Sequence, residues 1–190
     1  MLRITHTLRA CLLAASMLLA ALALAAPTAE AASGGLNSTP STAKKKERGG
    51  ETVKGSKAKL RNGRAVPPES APARVKKVIR AANKIRNKPY RYGGGHASFN
   101  DSGYDCSGAV SFALRGGKLL RAPLASGGLA NWKQAGKGKW ITVYGAPGHA
   151  YMVVAGLRFD TAMVSGNGPG WSKSLRSTPE NYAARHKPGL

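Results

Sequence analysis

Apolar and polar positions alternate regularly in three regions of the chain, and they predict two helices followed by an antiparallel meander. Val75, Val78, Ile79, Ala82 and Ile85 recur at helical spacing, while Lys76, Lys77, Arg80 and Lys84 take the other side. That pattern predicts an amphipathic helix from Ala71 or Pro72 to Asn87. Pro72 suits its first turn and Pro89 marks its stop. A shorter stripe of Ala109, Val110, Ala113 and Leu114 opens at Cys106 and ends at Gly116-Gly117, predicting a second helix. Residues 119–134 are weakly patterned and read as loop, with a possible short helix at 129–134. Beyond Trp140 the period changes to that of strands, over residues 140–144, 149–155 and 157–162, with turns at 145–148 and at Gly156. From Met163 onward Gly, Pro and Ser mark loops, with Trp171 and Tyr182 as packing residues. Helices first and strands after them predict an α+β domain, N-terminal helices packed on an antiparallel sheet. No internal repeat is evident.

The first seventy residues follow a different rule. Arg3 and Arg9 precede an almost wholly apolar run over residues 10–26, and Ala29-Glu30-Ala31 offers a small-x-small cleavage site. This is the pattern of a secretory signal peptide, residues 1–31. The run is short against the roughly 20 residues a membrane span needs. No second run of that length occurs, so the expectation is an exported protein with no transmembrane segment after cleavage. Residues 32–70 are rich in Gly, Ser, Thr, Pro and Lys, including Lys44-Lys45-Lys46, and predict a flexible basic linker. Residues 71–190 are left for the folded domain.

Charge narrows the partners. The net charge is +22. The linker holds nine Lys or Arg against three Glu, and the domain nineteen against four carboxylates, so the excess is not confined to the tail. Polycations of this kind are held by polyanions. For an exported chain these are anionic cell-wall polymers or phospholipid head groups. No nucleic-acid reading motif or aromatic-interleaved basic strand is present, which argues against specific nucleic-acid binding. No His pair or His/Cys cluster has ligand spacing, so neither a metal nor another cofactor is expected.

Cleavage of the signal segment removes Cys11 and leaves Cys106 as the one thiol, with no intramolecular disulfide available. Cys106 sits at the predicted first turn of a helix, where unpaired N–H groups and the positive dipole end favour the thiolate. A nucleophilic thiol needs a base, and the base needs an orienting partner. Outside the signal segment the histidines are His96, His149 and His186. His149 opens a predicted strand just after a Pro-Gly turn, and the next strand returns with Asp160, a candidate to orient the ring. The domain's other carboxylates are Asp101, Asp105 and Glu180. Asp105 adjoins Cys106.

The blocks Asn87-Lys88-Pro89-Tyr90-Arg91-Tyr92-Gly93-Gly94, Asp105-Cys106-Ser107-Gly108 and Gly148-His149-Ala150-Tyr151-Met152-Val153-Val154 occur in that order. In order and spacing they resemble the NlpC family of papain-like cell-wall cysteine peptidases, over roughly residues 75–161. The resemblance implies a papain-like domain, secreted or wall-associated, that cleaves peptide stems of peptidoglycan, often between D-glutamate and the diamino acid. It implies Cys106 as nucleophile and His149 as general base and acid, with Tyr90 and Asp105 lining the substrate site; Ser107, next to the thiol, is a further substrate-binding candidate. The third position departs from the family, which usually has His, Asn or Gln there. Asp160 stands in its place, with His96 the other candidate. The chain from 162 onward and the loop 119–139 have no clear counterpart in the family core. A Cys–His amidase or acyltransferase, or a non-catalytic basic wall-binding protein, are the alternative functions.

Overall fold

In the computed structural model, which describes residues 50–163 and 166–190, the first apolar stripe folds as α1, Ala73–Ile85. Its Val75, Val78, Ile79 and Ala82 are completely buried. The second stripe folds as α2, Cys106–Gly116, and packs against α1. The meander forms β4 (Ile141–Ala146), β5 (His149–Val154) and β6 (Leu157–Met163). Two-residue turns join these strands at Pro147-Gly148 and at Ala155-Gly156. Both residues of the second turn have positive φ, 47° and 87°, as a tight hairpin of matching twist requires. Earlier elements complete the numbering: a hairpin of β1 (Lys59–Arg61) and β2 (Arg64–Val66), the short helix α3 (Ser126–Ala130), and β3 (Gln134–Ala135). β7 (Gly166–Ser172) and β8 (Ala183–His186) follow the meander.

The six-stranded sheet has the order β3-β8-β4-β5-β6-β7, every pairing antiparallel. α2 lies against β5 and β6. Val110 and Leu114 of the helix join Ile141, Val143, Met152, Val154 and Phe159 of the sheet in one apolar core. Each such side chain, fully buried, contributes roughly 1.5–3 kcal/mol. The molecule is therefore α+β, with its two main helices on an antiparallel sheet. The packing of α2 on β5 matters most for function, because it sets the start of the helix beside the start of the strand.

Three expectations need correction. Residues 50–70, assigned to a flexible linker, are part of the fold. Val53, Ala58, Ala65 and Val66 are buried there. Asn83 of α1 accepts from the Ala65 N–H at 3.0 Å and donates to the Ala65 carbonyl at 2.8 Å. Composition over the whole window concealed a local signal, Asn62-Gly63, whose positive φ values of 48° and 71° make the hairpin turn. Residues beyond Met163, read as loops, contain β7 and β8. The sequence Gly-Asn-Gly-Pro-Gly hides β7 because it is an edge strand, where Pro169 forfeits no ladder bond. The short helix placed at 129–134 lies earlier, at α3. The signal-peptide reading of residues 1–31, and residues 32–49 of the basic segment, lie outside the described residues.

Candidate active site

Asp105 builds the first turn of α2. With extended backbone it caps the helix, Oδ1 accepting from the Gly108 N–H at 2.7 Å. Its Oδ2 accepts from the Gly93 N–H at 3.1 Å, and its own N–H donates to the Gly94 carbonyl at 3.2 Å. The glycine-rich turn thus lies directly on the helix start. A Cβ at Gly108 would fall 2.0 Å from the Gly94 oxygen, so only glycine fits there. Cys106 follows the cap, a free thiol, largely buried. The chain crosses it once more at Tyr90, which bridges in parallel to Tyr104 and donates its N–H to the Asn167 carbonyl of β7 at 2.7 Å.

His149 and Asp160 come from adjacent antiparallel strands, and His149 Nε2 lies 3.0 Å from Asp160 Oδ1. The Asp160 side chain has no exposure and also accepts from the Ala162 N–H at 2.9 Å. With Nε2 turned to the carboxylate, Nδ1 is the ring nitrogen left for another partner. His149 and the Ala150 backbone lie near enough to the Cys106 thiol to lower its pKa. Sulfur and imidazole, far apart in sequence, are close enough in the fold for each to shift the other's pKa.

The charges follow from these bonds. Burial pushes the Cys106 thiol up, but the hydrogen bonds from His149 and Ala150, with the imidazolium charge, outweigh it and the net displacement is downward. His149 is raised to about 9, chiefly by its bond to Asp160 and then by its bond to Cys106, against the opposing effect of burial. Burial raises Asp160, yet bonds from His149 and Ala162 and the charges of His149 and Arg176 hold it below the usual carboxylate range. The arrangement favours a thiolate–imidazolium pair beside an ionised carboxylate.

Of the remaining sequence candidates, Tyr90 lies close enough to Cys106 and Asp105 to feel both. Its hydroxyl is raised by burial first and then by those two charges. Asp105 and Ser107 are buried, and they bond to each other and to His96 rather than standing free. His96 Nε2 lies 3.0 Å from Asp105 Oδ1 and 3.1 Å from Ser107 Oγ. His96 therefore braces the cap of α2, while His149 Nε2 is met by Asp160.

Three neighbours of these side chains carry no signal in the sequence for where they lie. Arg176, from the loop after β7, donates Nε–H to Asp160 Oδ2 at 3.1 Å, and its Nη2 lies 2.8 Å from His149 Nε2. Nothing marks it among thirty Lys and Arg. Ala150 contributes only its backbone, which no residue type advertises. Tyr182, expected as a packing residue, packs edge-on against His149 and Tyr151, at 6.2 and 5.0 Å between ring centres. A cleft of about 530 Å³ lined by Asn62, Arg86, Lys88, Asn167 and Trp171 includes neither Cys106 nor His149.

Among the described residues no group of three or more His, Cys, Asp or Glu is placed to hold a metal ion. No helix among them is long and apolar enough to cross a membrane. No protein-family model matches the chain, and no curated protein matches it. Two solved structures from Mycobacterium tuberculosis are similar to it. One is Rv1477, a hypothetical invasion protein, at 21% identity and TM-score 0.45, covering 59% of this chain and 61% of that one. The other is the peptidoglycan hydrolase RipB, at 23% identity and TM-score 0.45, covering 59% of this chain and 64% of that one. The match thus spans less than two thirds of either solved chain.

Proposed function

We propose that this protein is an exported cysteine peptidase that hydrolyses amide bonds in the peptide stems of peptidoglycan. The observation that carries this reading is the meeting of three elements at one place, the start of α2 with Cys106 near enough to His149 of β5 for each to shift the other's pKa, and His149 Nε2 3.0 Å from Asp160 of β6. The sequence blocks resembling the NlpC family supply the substrate class, and within it the bond between D-glutamate and the diamino acid.

In this scheme the Cys106 thiolate attacks the amide carbonyl while His149 holds the proton taken from sulfur. The negative oxygen of the tetrahedral intermediate meets the N–H of Cys106, which no intrahelical carbonyl reaches at the first turn. The Tyr90 hydroxyl, kept protonated by its raised pKa, is a second donor beside it. His149 gives its proton to the leaving amine, and the C–N bond breaks to leave a thioester. Water, deprotonated by the now neutral imidazole, attacks the thioester and releases the acid and the thiolate–imidazolium pair. Asp160 keeps the imidazole in the tautomer with Nδ1 towards sulfur. Asp105 and Ser107 shape the substrate side of the helix start, and the basic surface holds the protein to anionic wall polymers.

Peptidoglycan digestion by the parent and by Cys106→Ala, read by mass spectrometry of the soluble products, tests the scheme. The parent should release fragments cut within the stem and the variant none. Release of whole stems from the glycan would make the protein an amidase. Equal digestion by the variant would end the thiol mechanism.

A further inference from the structure

Arg176 is not used by the reaction above, yet it touches both residues that govern the proton. Its Nη2 lies 2.8 Å from His149 Nε2 and 3.0 Å from Asp160 Oδ2, and its Nε lies 3.1 Å from that same oxygen. The guanidinium lies over Tyr151 and Tyr182, 5.2 and 5.6 Å from the ring centres, and is only partly exposed. The charged and titratable groups around the imidazole come from every neighbouring element. They are Cys106 from α2, Tyr151 from β5, Asp160 with Arg158 beside it from β6, Arg176 from the loop after β7, and Tyr182.

A guanidinium carries donors and no acceptor. When His149 Nε2 bears a proton for Asp160, Arg176 cannot bond to that nitrogen, and its charge opposes the imidazolium at close range. This matters because a carboxylate occupies a position that a neutral amide can fill. A lone buried carboxylate stabilises the imidazolium so well that the ring becomes a weak acid towards a leaving amine. A carboxylate already paired with a guanidinium still accepts the Nε2–H but presents less net charge. We propose that Arg176 is a positioning residue that fixes the Asp160 carboxylate and offsets its charge, so that His149 is oriented by a nearly neutral pair. The role rests on the Cys–His mechanism proposed above, but the charge offset is measurable without turnover.

The test follows the ring 13Cε1 resonance of His149 against pH in the full chain, assigned by its loss in His149→Gln. Arg176→Gln should raise the midpoint by about one unit, the size expected for removing a like charge in contact. Arg176→Lys keeps the charge without the fork and should fall between. Lys173→Gln, an exposed cation on the same loop, should leave the midpoint unchanged. On peptidoglycan, the alkaline limb of the rate should move up with Arg176→Gln while KM stays put. Coincident midpoints in the parent and Arg176→Gln overturn the proposal. So does loss of the fold in both Arg176→Gln and Arg176→Met, which would make Arg176 a structural prop. A raised midpoint in a protein that cuts no peptidoglycan would sink the peptidase reading and leave the charge offset standing. Cleavage with an unmoved midpoint would do the reverse.

Discussion

His149 is pulled in one direction by Asp160 and Cys106 and in the other by burial, and the pull prevails, taking it to about 9. Activity of the thiolate–imidazolium pair should therefore rise as pH climbs through the lowered thiol pKa. It should fall again as the imidazolium loses its proton near pH 9. Asp160→Asn keeps an acceptor for Nε2–H but removes the charge, so the alkaline limb should move down by about one to three units. The pH dependence of kcat/KM on peptidoglycan fragments checks this, and an unmoved alkaline limb would deny Asp160 its electrostatic role. The places of Cys106, His149 and Asp160 in the fold are legible because each sits where a period starts or returns: a helix start, a strand start, the neighbouring strand. That of Arg176 is not, since its contact depends on the path of a loop whose Ser and Lys composition says nothing about direction.

At the scale of elements, the site depends on the fit between the glycine turn and the first turn of α2. Gly108→Ala would set a methyl group 2.0 Å from the Gly94 oxygen, backbone against backbone, with no flexible side chain to yield. The turn and the helix must part, at a cost of about 1–3 kcal/mol of overpacking strain, and Cys106 must shift from His149. Urea unfolding should show that loss, and iodoacetamide should modify Cys106 more slowly at neutral pH. Unchanged stability and reactivity would mean that the contact is looser than described. α1, α2 and the meander were readable because one buried face imposes a period on each of them. β7 was not. An edge strand bonded on one side to β6 needs little side-chain pattern, and glycines supply none.

At the scale of the whole molecule, the fold begins earlier than the composition shift at residue 70. The β1–β2 hairpin fills both hydrogen bonds of the buried Asn83 amide with Ala65. Trp171 Nε1–H bonds to the same Asn83 oxygen at 3.0 Å. A chain starting at residue 71 would leave the Asn83 amide donors unpaired, costing about 1–3 kcal/mol for that group, and would expose the apolar residues the hairpin covers. Its thermal midpoint should lie several degrees below that of a chain starting at residue 50, as calorimetry would reveal. Equal midpoints would show the hairpin to be dispensable. The sequence hid this boundary because a basic, polar surface on a small hairpin has the same composition as a tail.

The crossing segment that presents Tyr90 also runs along the outside of β7. Its amide is bonded to the Asn167 carbonyl at 2.7 Å, and Gly168 passes so near that an added Cβ would fall 2.2 Å from the Lys88 oxygen. A sheet ending in an uncovered strand invites another polypeptide to extend it. Here the stretch carrying the phenol covers that margin at Asn167 and Gly168. One backbone bond thus serves two ends, fixing the phenol's place near Cys106 and occupying a carbonyl on the outer side of the last strand.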